Sequence, residues 1–170
     1  MRSATTKFRY LLFAILTVLS VSCDQGTKSW ARRTLPGSGD VSVIDGYFDF
    51  HLAQNTGAAF SLLHNVAAGR VLLVGIGLVL LAGLFWWLRR TIHEGTLPVA
   101  ALGLIAGGAI GNLIDRVWLG SVTDFIYWHT RTLRWPVFNI ADVVLVVGVA
   151  MLVLTSGRKA GTDPSSEATR

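Results

Sequence analysis

Three aspartates, Asp115, Asp124 and Asp142, lie close together in a chain that carries only ten acidic residues. They occur in Asn112-Leu-Ile-Asp115-Arg116, Val122-Thr-Asp124-Phe125 and Phe138-Asn139-Ile-Ala-Asp142, and two of the three abut or interrupt long uncharged runs. A carboxylate in or beside hydrocarbon is costly, so such a residue is a functional candidate by default. Desolvation raises a carboxyl pKa, and a second carboxyl nearby splits the two values. A pair sharing one proton supplies a base for water and an acid for a scissile carbonyl, as in aspartic proteases. That chemistry would suit a substrate embedded in lipid. Two bland readings stand beside it. An intramembrane Asp commonly pairs with an arginine or a helix N-terminus, and chains of Asp also form proton relays in transporters. Asp115, at a polar helix end beside Arg116, reads as structural, whereas Asp124 and Asp142 have no basic neighbour in sequence.

The elements that would position these groups are apolar. Of the 170 residues, 52% are hydrophobic and 15% charged, against about 25% charged in soluble domains. The length suits one domain. Net charge is +5, but the basic residues flank apolar runs, which points to membrane orientation and away from nucleic acid. Cys23 is the sole cysteine, so no intrachain disulfide forms. The histidines His51, His64, His93 and His129 show no ligand spacing. His93-Glu94 begins like a zinc-protease motif without its second histidine. No metal and no cofactor are expected.

Hydropathy and turn signals predict an α-helical polytopic membrane protein. Four transmembrane helices are expected over about 8–28, 67–88, 97–117 and 137–156, with loops at 29–66 and 118–136 and a disordered tail at 157–170. The first apolar run is short and ends in Ser20-Val21-Ser22-Cys23, which looks somewhat like a lipoprotein cleavage box. A transmembrane helix with Arg9 snorkelling is preferred to a signal peptide, because further spans follow and because Asp24 and Lys28 sit at i,i+4 on one face. Tyr47 to Gln54 alternates, with Phe48, Phe50 and Leu52 on one side. It reads as a strand of a small sheet on the membrane surface, with Val41 and Val43 on a partner strand. Asn55-Thr-Gly57 then turns the chain. Gly103, Gly107 and Gly111 recur at spacing four, a stripe that permits close helix approach and would leave a groove for a substrate helix. Asn112, Asp115 and Arg116 fall on one helix face. The basic N-terminus and Arg89-Arg90 place the termini and the short loop in the cytoplasm, and both long loops outside.

Five segments in register then carry a resemblance: Asp24-Gln-Gly-Thr-Lys28, Asn55-Thr-Gly-Ala-Ala-Phe60, Gly111-Asn112-Leu-Ile-Asp115-Arg116, Val122-Thr-Asp124-Phe125 and Phe138-Asn139-Ile-Ala-Asp142. The chain resembles the lipoprotein signal peptidases, the type II signal peptidases of bacteria. The resemblance implies a four-helix inner-membrane aspartic peptidase with a small extracytoplasmic sheet. It would remove signal peptides from prolipoproteins whose cysteine carries diacylglycerol. The family's catalytic pair falls on Asp124 and Asp142, and its supporting residues on Asp24, Lys28, Asn55, Gly57, Asn112, Asp115, Arg116 and Asn139. The implied partners are diacylated prolipoproteins and membrane lipids, with no nucleic acid, and the chain is expected to be a monomer and a target of the cyclic peptide globomycin. The readings from other classes are a non-catalytic lipoprotein-binding or export factor and a proton-coupled transporter. A serine–lysine peptidase fits worst, since every lysine lies at a span end or beyond and no nucleophile elbow is present.

Overall fold

The computed structural model describes residues 2–36, 39–57 and 66–160. Four helices, α1 (Arg2–Thr34), α2 (Val66–Thr91), α3 (Thr96–Trp118) and α4 (Ile140–Ala160), carry a sheet of β1 (Val41–Ile44), β2 (Phe48–Asn55) and β3 (Val122–Trp128). Over Ser3–Thr34, Ala68–Thr91 and Thr96–Trp118 the first three helices are long and apolar enough to cross a membrane; the apolar part of α4, Ile140–Thr155, is shorter. Their outward faces are hydrocarbon: Val71, Val79, Leu80, Val146, Val153 and Leu154 are all exposed. Such exposure suits lipid and would be an aggregation hazard in water. At the end of α2, Arg89 and Arg90 lie over the rings of Phe85 and Trp86, the aromatic and basic stop expected at an interface.

The centre of the bundle is α3, which packs against each of the other helices. Lipid tails give helices no hydrophobic reason to associate, so close packing has to supply it. Glycine provides that closeness. A Cβ on Gly103 would lie 3.0 Å from the Phe13 carbonyl oxygen, one on Gly107 would overlap Ser20, and one on Gly111 would overlap the Asp24 carboxylate. The spacing-four stripe therefore seats α1 and is closed; it does not leave a substrate groove. On another face, a Cβ on Gly108 would lie 2.5 Å from the Ala141 carbonyl oxygen, which brings in α4. Hydrogen bonds add to the seam: Thr17 donates to the Gly103 carbonyl at 3.1 Å, and Arg9, expected to snorkel, donates to the Ile92 carbonyl at 2.8 Å.

Apolar cores close both ends. Leu88, Ile92, Val99 and Leu102 pack with Phe13, Leu84 and Leu152 at one end. Ala31, Leu35 and Phe125 pack with Phe50, Leu52, Ile126 and Ile140 at the other. The second cluster explains why α1 runs past residue 28 to Thr34, since its last turn is the helical side of that core. The sheet is antiparallel in the order β1-β2-β3. β1 is the expected partner strand, but β3 occupies what the sequence marked as loop. Val122 to Phe125 are all buried, so β3 lacks the period-2 signal of a one-sided strand. The expected apolar face is divided: Phe50 and Leu52 turn into the core, while Phe48 lines a groove with Trp128; Ile126 borders both. α4 starts at Ile140 and not near 137, because Phe138 is still paired in extended form with Ile126. It also continues to Ala160, into part of the expected tail; residues 161–170 lie outside the described residues.

Gly107→Ala should lower the thermal stability of detergent-solubilised protein by about 1–3 kcal/mol through overpacking. Gly75→Ala and Gly83→Ala, which have nothing within 4 Å, should be neutral or stabilising. Equal melting shifts in all three would contradict the seam.

Candidate active site

The polar end of the bundle is built around Lys28. Its ammonium is fully buried and meets three acceptors: Asp24 Oδ2 at 2.9 Å, Asn112 Oδ1 at 2.8 Å and Asp115 Oδ2 at 3.5 Å. Three donors thus find three partners. The i,i+4 geometry anticipated for Asp24 and Lys28 holds. Asp24, 0% exposed, uses its other oxygen to accept the backbone N–H of Ala141 at 2.9 Å. That amide belongs to the first turn of α4, where N–H groups lack helical partners and the dipole favours an anion. Asp24 of α1 is therefore a cap supplied to α4 through space. Asp115 accepts the Thr123 N–H at 2.9 Å and so fixes the start of β3.

Three residues in this network escaped sequence reasoning. Gln25 Nε2 reaches Asp24, Asp115 and the Gly111 carbonyl at 3.0–3.1 Å. Arg32 donates to the Thr123 hydroxyl at 3.0 Å and lies 3.7 Å from Asp115. The signal for Arg32 was present: Asp24, Lys28 and Arg32 sit four apart, on one face once α1 is allowed to continue. Gln25 and Thr123 lie inside the Asp24–Lys28 and Val122–Phe125 segments but carry no charge to mark them.

The Lys28 network leads to Asp142 and Asp124 through Asn112 and Asn139, and Asn55 reaches Asp124 from the sheet; each asparagine is oriented by a different donor. Asn112 Oδ1 accepts from Lys28, which leaves its amide nitrogen to donate to Asp142 Oδ1 at 2.9 Å. Asn139 Oδ1 accepts the Asp142 N–H at 3.1 Å, and its amide nitrogen donates to Asp124 Oδ1 at 2.6 Å and to Asn112 Oδ1 at 3.1 Å. The Asn139 N–H returns to Asp142 Oδ2 at 3.1 Å. Asn139 and Asp142 thus form a reciprocal capping box at the start of α4. Asn55 Oδ1 accepts the Gly57 N–H at 3.0 Å, and its amide donates to Asp124 Oδ2 at 3.0 Å. Gly57 has φ 77°, a conformation that glycine adopts without strain. Arg116 donates to the Asn112 carbonyl at 3.3 Å, and its guanidinium is within electrostatic reach of Asp142, Asp124 and Asp115.

All the singled-out residues therefore converge, and the two carboxyls differ in setting. Asp124 is 3% exposed, and burial raises its pKa above 3.8. Hydrogen bonds from Asn55 and Asn139 oppose that shift, the charge of Asp142 adds to it, and Lys28 opposes it weakly. Asp142 is half-buried and lines a cavity of about 510 Å³ with Trp128, Trp135, Phe138, Val143, Val146 and Val147. That cavity opens on the lipid-facing side of α4. An adjoining groove of about 720 Å³ lies between the sheet and the 129–138 segment and shares Trp128, Trp135, Phe138 and Val143. Among the described residues no cluster of His, Cys, Asp and Glu could hold a metal ion.

Lys28→Met keeps the volume of the stem but leaves Asp24 and Asp115 without their buried cation. Removing one partner of a buried pair costs about 3–5 kcal/mol, and a fall of that order in unfolding free energy is expected. A variant as stable as the parent would show that the network carries little.

Comparison with known proteins shows the family. A family model described as signal peptidase (SPase) II matches residues 16–158. The lipoprotein signal peptidase of Geobacter metallireducens is 41% identical over 150 residues, covering 87% of this chain and 91% of its own. That of Ectopseudomonas mendocina is 42% identical over 153 residues, covering 88% and 90%. A solved bacterial membrane enzyme, determined by the in meso method at 1.9 Å resolution, superposes with TM-score 0.76 at 28% identity over 84% of this chain and 90% of its own. A second, at 2.3 Å resolution, gives TM-score 0.76 at 26% identity over 93% and 92%. With its motifs in order and its polar residues gathered at one end of a membrane bundle, the chain belongs to the signal peptidase II family, the lipoprotein signal peptidases.

Proposed function

We propose that this chain is an aspartic endopeptidase that removes the signal peptide from diacylglyceryl-modified prolipoproteins, cleaving before the lipidated cysteine, with Asp124 and Asp142 acting on one water. Family membership supports the substrate class. The observation that carries the pair is Asn139, which holds both carboxyls at once through its side chain and its backbone N–H. One proton shared by the pair leaves a single negative charge, which Arg116 balances. Asp124, with its raised pKa, is the resting holder of that proton. Asp142, facing the cavity, takes a proton from water. Hydroxide adds to the scissile carbonyl while Asp124 protonates the carbonyl oxygen. Collapse of the tetrahedral adduct breaks the C–N bond as Asp142 gives its proton to the leaving cysteine nitrogen, and Asp124 takes one back from the adduct hydroxyl, which restores the pair. Asp24, Lys28, Asn55, Gly57, Asn112, Asp115, Arg116 and Asn139 position the pair and do not exchange protons with the substrate.

The proposed location is the bacterial inner membrane, with the site at the extracytoplasmic face and the chain acting as a monomer. Placement of Arg89 and Arg90 at the bundle end opposite the sheet supports that orientation. A substrate held in the bilayer by lipid and by a signal helix would approach laterally, and the cavity at Asp142 opens on that side.

Asp124→Asn and Asp142→Asn should each abolish cleavage of a diacylated prolipoprotein in detergent while leaving a folded protein. Cleavage by either variant would exclude the pair. Binding without cleavage by the parent chain would make it a lipoprotein-binding factor. The pH–rate profile tests the assignment of the proton. Asn55 stabilises the ionised form of Asp124, so Asn55→Ala should raise the Asp124 pKa further. The basic limb, where the proton is lost, should then move to higher pH; a downward move would place the resting proton elsewhere.

A further inference from the structure

The segment after β3 is a closed hairpin that the catalytic network does not use. His129 and Arg134 form a bridge, and the Trp135 N–H donates to the Trp128 carbonyl at 2.9 Å. Thr130 closes the turn: its N–H donates to the Leu133 carbonyl at 2.7 Å, and its hydroxyl accepts the N–H groups of Leu133 at 2.9 Å and Thr132 at 3.3 Å. The side chains shown by this fixed turn are unusual for one facing water. Trp128, Leu133 and Trp135 are 57%, 62% and 59% exposed. Between them stand Arg131 and Arg134, both exposed and with no acidic partner among the described residues. Trp128 and Trp135 also wall the cavity that continues onto Val146 and Val147 of α4, so the hairpin stands at the head of a lipid-facing helix surface.

We propose that the 129–135 hairpin docks on the anionic headgroups of the bilayer that the helices span. Its two tryptophans and Leu133 would lie at the interface, and Arg131 and Arg134 would meet lipid phosphates. Three features of the structure point to lipid. The apolar surface is continuous with the hydrocarbon-facing side of α4. Indole rings and arginine are the side chains suited to headgroup depth. The two cations stand unpaired where phosphate is the available anion. Arginine recognises phosphate with a planar, multidentate fork, and clustered arginines favour anionic over zwitterionic lipid. The rigid turn lets this contact fix the height of the sheet, and with it the height of Asp124 relative to the bilayer. The inference concerns the lipid surface and does not depend on which residues perform cleavage.

The test uses the full chain with Cys23→Ser and Thr132→Cys, labelled at residue 132 with a fluorophore and reconstituted in phosphatidylcholine vesicles. A minor fraction of brominated phosphatidylglycerol, or the same fraction of brominated phosphatidylcholine, serves as quencher. Quenching should be severalfold stronger with the anionic quencher, within an upper bound of about thirty-fold local enrichment for two arginines. Arg131→Gln/Arg134→Gln should bring the two quenchers level. Equal quenching in the parent, absence of quenching by either lipid, or a difference that survives in the double variant would overturn the proposal. Prolipoprotein cleavage separates the other source of negative charge. The double variant should match the parent in phosphatidylcholine vesicles and fall below it only when phosphatidylglycerol is present. A loss of the same size in both would assign the arginines to an acidic segment of the polypeptide substrate and reject the lipid assignment.

Discussion

A fully buried ammonium is the constraint on which the polar end of this bundle depends. Lys28 is surrounded by protein at the end of a membrane helix, where an unpaired charge would cost several kcal/mol. Its acceptors come from two helices: Asp24 from its own, Asn112 and Asp115 from α3. Each of those partners has a second task. Asp24 caps α4, Asp115 anchors β3, and Asn112 directs its amide to Asp142. One cation thereby fixes the relative positions of α1, α3, α4 and the strand that carries Asp124.

The asparagines convert that fixed position into orientation. A side-chain amide can present either nitrogen or oxygen, and a carboxylate needs the nitrogen. Asn112, Asn139 and Asn55 each have the oxygen claimed by a donor: the Lys28 ammonium, the Asp142 N–H and the Gly57 N–H. The amide nitrogens are left facing Asp142 and Asp124. An aspartate at any of these positions would add charge where the two carboxyls already repel, which is a physical reason for a neutral amide.

How far this was legible in the sequence varied with the kind of signal. Runs bounded by Trp86-Trp87-Leu88-Arg89-Arg90 and by Asp115-Arg116 marked the two central spans. The i,i+4 pair Asp24 and Lys28 disclosed the end of α1, although not its continuation to Thr34, because Ser29 to Thr34 is polar in composition and apolar only at Ala31 and Trp30. β3 was missed for a different reason. Period-2 alternation appears when one face meets water, and Val122 to Phe125 are covered on both. The glycine stripe was visible, but the sequence could not say which neighbour would fill it. Likewise, nothing in Phe138-Asn139-Ile-Ala-Asp142 announces that Asn139 will touch Asp124 as well as the nearby Asp142. That depends on β3 bringing Asp124 alongside.

The cap that Asp24 supplies to α4 has a bearing on biogenesis. The start of α4 carries its own cap, the reciprocal Asn139–Asp142 pair, but that cap does not reach the Ala141 N–H. Here the first turn of α4 is finished by a carboxylate synthesised more than a hundred residues earlier, and α1 must already lie against α3 for that group to arrive. The last helix to be made therefore acquires its final geometry only when the first has docked. Until then Lys28 is not in place to orient Asn112 toward Asp142.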